Sequence, residues 1–234
     1  MKMFFKAALT FASLVVATTS SAADINVRIE NLTNGIYFTR LLVAVHPDGD
    51  SLFTSGQPAS ANLQAMAEGG DTAGLIADMQ AIGATISDNP AGGLLAPASS
   101  TNVDLNTDGT SNVRLSVVAM LLPTNDGFAG LNAITIPMAA GIYSYDVPAY
   151  DAGTEANDEL VTGGGAPGVP GIPVDPGAQS GTGGTGAAMA DANPNIHIHR
   201  NVLGDTDNAA GVSDLDSRVH RWLNPVIRVV VTVR

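Results

Sequence analysis

Short apolar runs with a two-residue period, each closed by turn-forming residues, constrain this chain more than any other feature. Ile25, Val27 and Ile29 alternate with Asn26, Arg28 and Glu30. Successive side chains of a strand point to opposite faces, so this is the pattern of a strand with one face in a core. Val113, Leu115, Val117, Ala119 and Leu121 repeat it, with apolar Val118 and Met120 between them. That predicts a central strand covered on both faces at its far end. Val226 to Val233 is rich in branched residues, as a buried closing strand requires. Ile36 to Val45, Thr101 to Leu105, Ala133 to Pro137, Gly141 to Val147 and Ile196 to His199 supply the other runs. Asn34-Gly35 is a turn signal and predicts a hairpin joining the opening strand to Ile36–Val45. Together these runs predict an all-β fold, an antiparallel β-sandwich of about eight strands.

Helix is confined to one excursion. From Ala59 to Met79 the chain changes to Ala, Leu, Met, Gln and Glu, with Leu63, Met66 and Ala67 at helical spacing. Gly69-Gly70 interrupts it, and Asp71 is placed to cap a second piece containing Leu75, Ile76 and Met79. Residues 59–82 thus read as a short helical insertion packed over one end of a sheet. Residues 163–186 are Gly, Pro, Ala and Thr with few large apolar side chains, which predicts a flexible loop that builds no core.

Residues 1–23 read as an export signal: Lys2 and Lys6, an apolar run from Phe4 to Ala17, and small residues at Ser21-Ala22-Ala23. The run falls short of the roughly 20 residues a spanning helix needs, so no membrane span is expected once the signal is removed. The expected product is a secreted single domain, 24–234, extracellular, at the cell surface or in the periplasm. It has no cysteine, which excludes a disulfide scaffold and thiolate metal sites. Both lysines leave with the signal, so 8 arginines face 22 acids, a formal charge of −14. Such a balance repels phosphate backbones, and no nucleic-acid partner is expected.

The excess of carboxylates does suit a cation. Asn125-Asp126-Gly127 follows the central strand, and Asp151 and Glu155 flank Gly153 in a second acidic loop. A hard divalent ion needs several oxygens gathered without a lysine or arginine to neutralise them. Both loops meet that condition, although acidic turns in an acidic chain also occur simply as solvated turns. His197 and His199, two apart in a strand, share a face, and His46 and His220 could complete a nitrogen site with them. No standard zinc-hydrolase spacing accompanies them. Ser116 and Ser144 lack a nucleophile-elbow context, and the chain is read as a non-enzyme.

Three stretches resemble the spondin N-terminal domain family: Asn125 to Leu131, Tyr150-Asp151-Ala152-Gly153-Thr154-Glu155, and Trp222 to Val229. The resemblance extends over Val27–Phe38 and Phe53–Glu68. It implies a β-sandwich like that of calcium- and lipid-binding domains, with calcium (Ca2+) as cofactor on one aspartate of the first loop and two acids of the second. The matching positions are Asp126, Asp151 and Glu155. Glu155 departs from the aspartate of animal F-spondin-like members, and their cysteines and thrombospondin-type modules are absent here. The expectation is an exported calcium-binding adhesion module with a structural metal, whose partner is an extracellular protein or polysaccharide. Two alternatives stand beside it: a metal-independent surface protein that self-associates, and a metallo-hydrolase using His197 and His199.

Overall fold

The computed structural model describes residues 24–190 and 193–234, so the expected export signal lies outside the described residues. Eleven strands and two helices follow in chain order, and the strands form two antiparallel sheets. The smaller has the order β5 (Ser100–Asn106), β1 (Asp24–Asn31), β11 (Ile227–Val233), β8 (Gly141–Val147). The larger has the order β10 (His197–Ile198), β9 (Ala149–Asp151), β7 (Gly127–Thr135), β6 (Asn112–Leu122), β3 (Leu42–Pro47), β4 (Thr85–Asp88), with β2 (Tyr37–Phe38) pairing β6.

The expected sandwich is therefore present, but the expected hairpin is not. β1 pairs with β5 and β11, whereas β2 and β3 lie in the opposite sheet. The turn around Asn34-Gly35 carries the chain between layers: Asn31 Nδ2 donates to Ile36 O (2.8 Å) and Leu95 O (3.1 Å), tying the crossing down where no ladder is possible.

β6 is the central strand that its doubled apolar pattern predicts. Leu115, Val117, Ala119 and Leu121 face the core between the sheets, with Val27, Ile29, Val229 and Val231 opposite. Val118, Met120 and Leu122 face a second core under the helices, with Leu63, Met66, Leu75 and Phe128. Burying each such side chain contributes about 1.5–3 kcal/mol. A bulge at Ser116 frees its hydroxyl, which accepts from Ala133 N (2.8 Å) and meets His46 Nε2 (2.9 Å).

The helical insertion comprises α1 (Ala61–Gly69) and α2 (Ala73–Ala81). Ser60 Oγ accepts from Leu63 N (3.1 Å) at the start of α1, and Gly70 ends it at φ 71°. Asp71 accepts from Ala73 N (2.9 Å) ahead of α2. The segment 163–186 forms no helix or strand, yet carboxylates take up its backbone N–H groups. Gly168 donates to Glu68, Gly171 to Glu155, Gln179 and Ser180 to Asp175, and Gly184 to Asp214. Contrary to the expectation that it builds no core, Ile172 is wholly buried between the sheets.

Candidate functional site

The carboxylates meet at one end of the larger sheet because two short strands bring them there. β7 begins at Gly127, directly after Asp126, and Gly127 is paired with Asp151 at the end of β9. A side chain at Gly127 would run into Thr124 Oγ1 at 2.7 Å, so the approach of the two loops depends on glycine there. Gly153 sits at φ 70° with Pro194 and Asn195 backbone packed against it, so the turn between the two acids of the second loop also depends on glycine.

That turn folds its backbone onto the first loop's carboxylate. Asp126 Oδ2 accepts from Thr154 N (2.8 Å), Glu155 N (3.1 Å) and the Thr154 hydroxyl (3.3 Å). Asp151 Oδ1 accepts from Gly153 N (2.9 Å) and its Oδ2 from Asn157 Nδ2 (2.8 Å). Glu155 Oε1 accepts from Gly171 N and from Asn125 Nδ2 (3.3 Å). Asn125 also donates to Asp158 Oδ1 (2.8 Å) and accepts from Glu159 N (3.2 Å), so it knits both loops together.

Two oxygens in this arrangement have no partner among the described residues. Asp126 Oδ1 and Glu155 Oε2 are buried and accept no hydrogen bond, although Asp126 is 0 % and Glu155 9 % exposed. A buried acceptor left unmatched costs about 1–3 kcal/mol, more if charged. Burial, with Asp151 beside it, pushes the Asp126 carboxyl up to about 8. Burial likewise pushes Glu155 up to about 7, with Glu68 and Asp158 adding repulsion. His197 stands beside them, with its Nε2 3.8 Å from Asp151 Oδ2. The three acids thus share one end of the sheet. Even so, among the described residues no three His, Asp or Glu side chains converge in a metal-holding arrangement. Beside Glu155 a cleft of about 300 Å³, bordered by Thr154, Asp158, Gly168 and Met189, leads in from outside.

The histidines do not gather. His46 is locked between Pro47 O and Ser116, and its burial lowers its pKa. His220 lies against Asp175 (3.5 Å), and His199 packs its ring on Trp222 (5.2 Å). A four-histidine nitrogen site is therefore not formed. The periodicity did not reveal Glu68, Asn125, Asn157 and Asp158, which support or surround the carboxylates. Their one sequence signal is closeness of Asn125 and Asn157 to the predicted acids, since side-chain amides are what can donate to a buried carboxylate.

The family model described as Spondin_N matches residues 30–160, a span that includes both acidic loops, the helical insertion and the central strand. The chain belongs to the spondin N-terminal domain family. No curated protein matches it. Spondin membership suggests an extracellular binding or adhesion type of module. Among the described residues no helix is long and apolar enough to cross a membrane.

Proposed function

We propose that this spondin domain is a secreted binding module whose acidic loops are fixed by one calcium ion held by Asp126, Asp151 and Glu155. The observation that carries the reading is the pair of buried, unpartnered oxygens, Asp126 Oδ1 and Glu155 Oε2. Oxygen-only donors free of any lysine or arginine suit a hard cation such as calcium, which takes 6–8 oxygens. Asp126 and Glu155 would each offer the oxygen that the protein leaves unmatched, and Asp151 the lone pairs not taken by Gly153 and Asn157. When bound, the ion supplies positive charge and no redox or acid–base chemistry. Asn125, Asn157 and the Thr154 and Glu155 amides hold the carboxylates in place, and the 300 Å³ cleft offers a path for entry.

The test is calorimetric titration of calcium into the chelator-treated protein, beside Asp126→Asn/Glu155→Gln and a triple alanine variant at Asp126, Asp151 and Glu155. Saturable binding in the parent that vanishes in both variants is expected. No binding in the parent would sink the proposal and leave Asp126 as a carboxyl that simply retains its proton.

A further inference from the structure

Arginines supply all the permanent positive charge of the described chain. Six of the eight are matched to a carboxylate. Arg200 and Arg221 have no such partner among the described residues, and both are exposed. They flank a single structure: Asn201 Nδ2 donates to Trp222 O and its Oδ1 accepts from Trp222 N (3.4 Å), so the segments carrying the two arginines lie side by side.

Beside them runs an open groove of about 590 Å³, lined by Leu32, Asn34, Ser217, Arg221, Trp222 and Leu223. Of the groove's two leucines, Leu223 is 88 % exposed and Leu32 40 %. Exposed leucines scattered singly need no explanation, but two on the wall of one concave surface give it an apolar side that a ligand can cover. The Arg221 guanidinium and the Ser217 hydroxyl make no hydrogen bond within the described chain, so both are available to a ligand.

We infer that this groove docks a segment of a partner protein that presents an aliphatic side chain next to a carboxylate. The planar guanidinium takes a carboxylate through two parallel hydrogen bonds, and the leucines offer an aliphatic wall beside it. Charge complementarity is local, since Arg221 is unneutralised within a strongly acidic domain. Other occupants fit less well. Trp222 is only 7 % exposed, so no open aromatic platform is offered to a sugar ring. An anionic membrane or a second copy of the chain would bring many negative charges against a domain that is itself strongly acidic, whereas a short segment brings one carboxylate onto the one unneutralised guanidinium of the groove. The groove uses none of the three site carboxylates, so it stands whether or not the calcium reading does.

Trp222 is the one tryptophan in the chain and lines the groove, so its emission reports a ligand bound there while the domain stays folded. Short acetylated, amidated peptides pairing Leu or Ile with a neighbouring Asp or Glu are titrated against the protein, with Asn and Gln counterparts as controls. Saturable change by the acidic set is expected, weakened at least about tenfold in Arg221→Glu and also reduced in Leu223→Ser. The exposed, paired Arg228→Glu variant should bind as the parent does. The inference is overturned if no acidic peptide moves the emission, if the amide counterparts titrate equally, or if Arg221→Glu binds unchanged. It is equally overturned if polygalacturonate, phosphatidylglycerol vesicles or self-association produce the Arg221-dependent change and the peptides do not.

Discussion

Replacing Asp126 with asparagine separates two demands on one side chain. In the metal-free domain Asp126 is wholly buried and its pKa stands at about 8 instead of the ordinary 3.8. At pH 7 the folded state therefore keeps a proton that the unfolded chain has shed. From 3.8 to pH 7, at about 1.36 kcal/mol per pH unit, this costs up to about 4 kcal/mol. Asparagine is neutral throughout. Its carbonyl oxygen can go on accepting from Thr154 and Glu155, while its amide replaces the unpartnered oxygen. Without calcium, Asp126→Asn should stabilise the domain by about 2–4 kcal/mol, roughly 4–16 °C in melting temperature for a domain of this size. Calcium narrows this difference and at high excess reverses it, because the parent gains about 2.7 kcal/mol at a hundredfold and about 4.1 kcal/mol at a thousandfold excess over its dissociation constant while the variant has lost a ligand. Urea unfolding followed by Trp222 emission, in chelator and in calcium, measures both differences. A variant less stable than the parent in chelator, or an equal difference in both buffers, would refute the reasoning.

The same raised carboxyls set a pH dependence. Their folded pKa values lie above the unfolded ones, so their contribution is full below about 4 and is lost as pH rises through about 7 for Glu155 and about 8 for Asp126. Metal-free protein should therefore melt lower at pH 8 than at pH 5, while calcium binds more tightly over that interval as protons leave; melting temperatures that stay level would contradict this. Glu159 is a second lever: it is buried and accepts from Leu203 N (2.6 Å), Gly204 N (2.9 Å) and Ser213 Oγ (2.6 Å). Glu159→Ala should cost about 3 kcal/mol and speed amide exchange at Leu203 and Gly204, whereas equal exchange in parent and variant would show that the contacts carry no weight.

Strands that bury one face against a continuous core were legible. β1, β6, β8 and β11 lie where alternation or a doubled apolar run placed them, since the period itself records which face is buried. Pairing was less legible. Asn34-Gly35 has the composition of a hairpin turn, yet the chain changes sheets there, because both Ile29 and Phe38 must reach the same core from opposite layers. The first half of β7, Phe128-Ala129-Gly130-Leu131, was missed because it lacks branched residues and alternation, being covered on both sides by the two cores. At the site, sequence brought Asp126, Asp151 and Glu155 to one place but not into burial. Whether an acid is solvated or enclosed depends on partners such as Glu68, distant in sequence, and on Gly171, whose N–H reaches Glu155 from the segment expected to be a flexible loop that builds no core.

From the end of β9 to the start of β11 the described chain contains a single strand, of two residues. What organises it is a set of acidic rivets: Glu155, Glu159, Asp175, Asp205 and Asp214 each grip backbone N–H groups that a ladder would otherwise have used. A rivet reads only the points it joins. Between two of them the chain has no register to lose, and lengthening an irregular surface span adds little closure entropy. This end of the domain can therefore change its outer surface freely, and acquire new recognition loops, while the sandwich beneath keeps its fold.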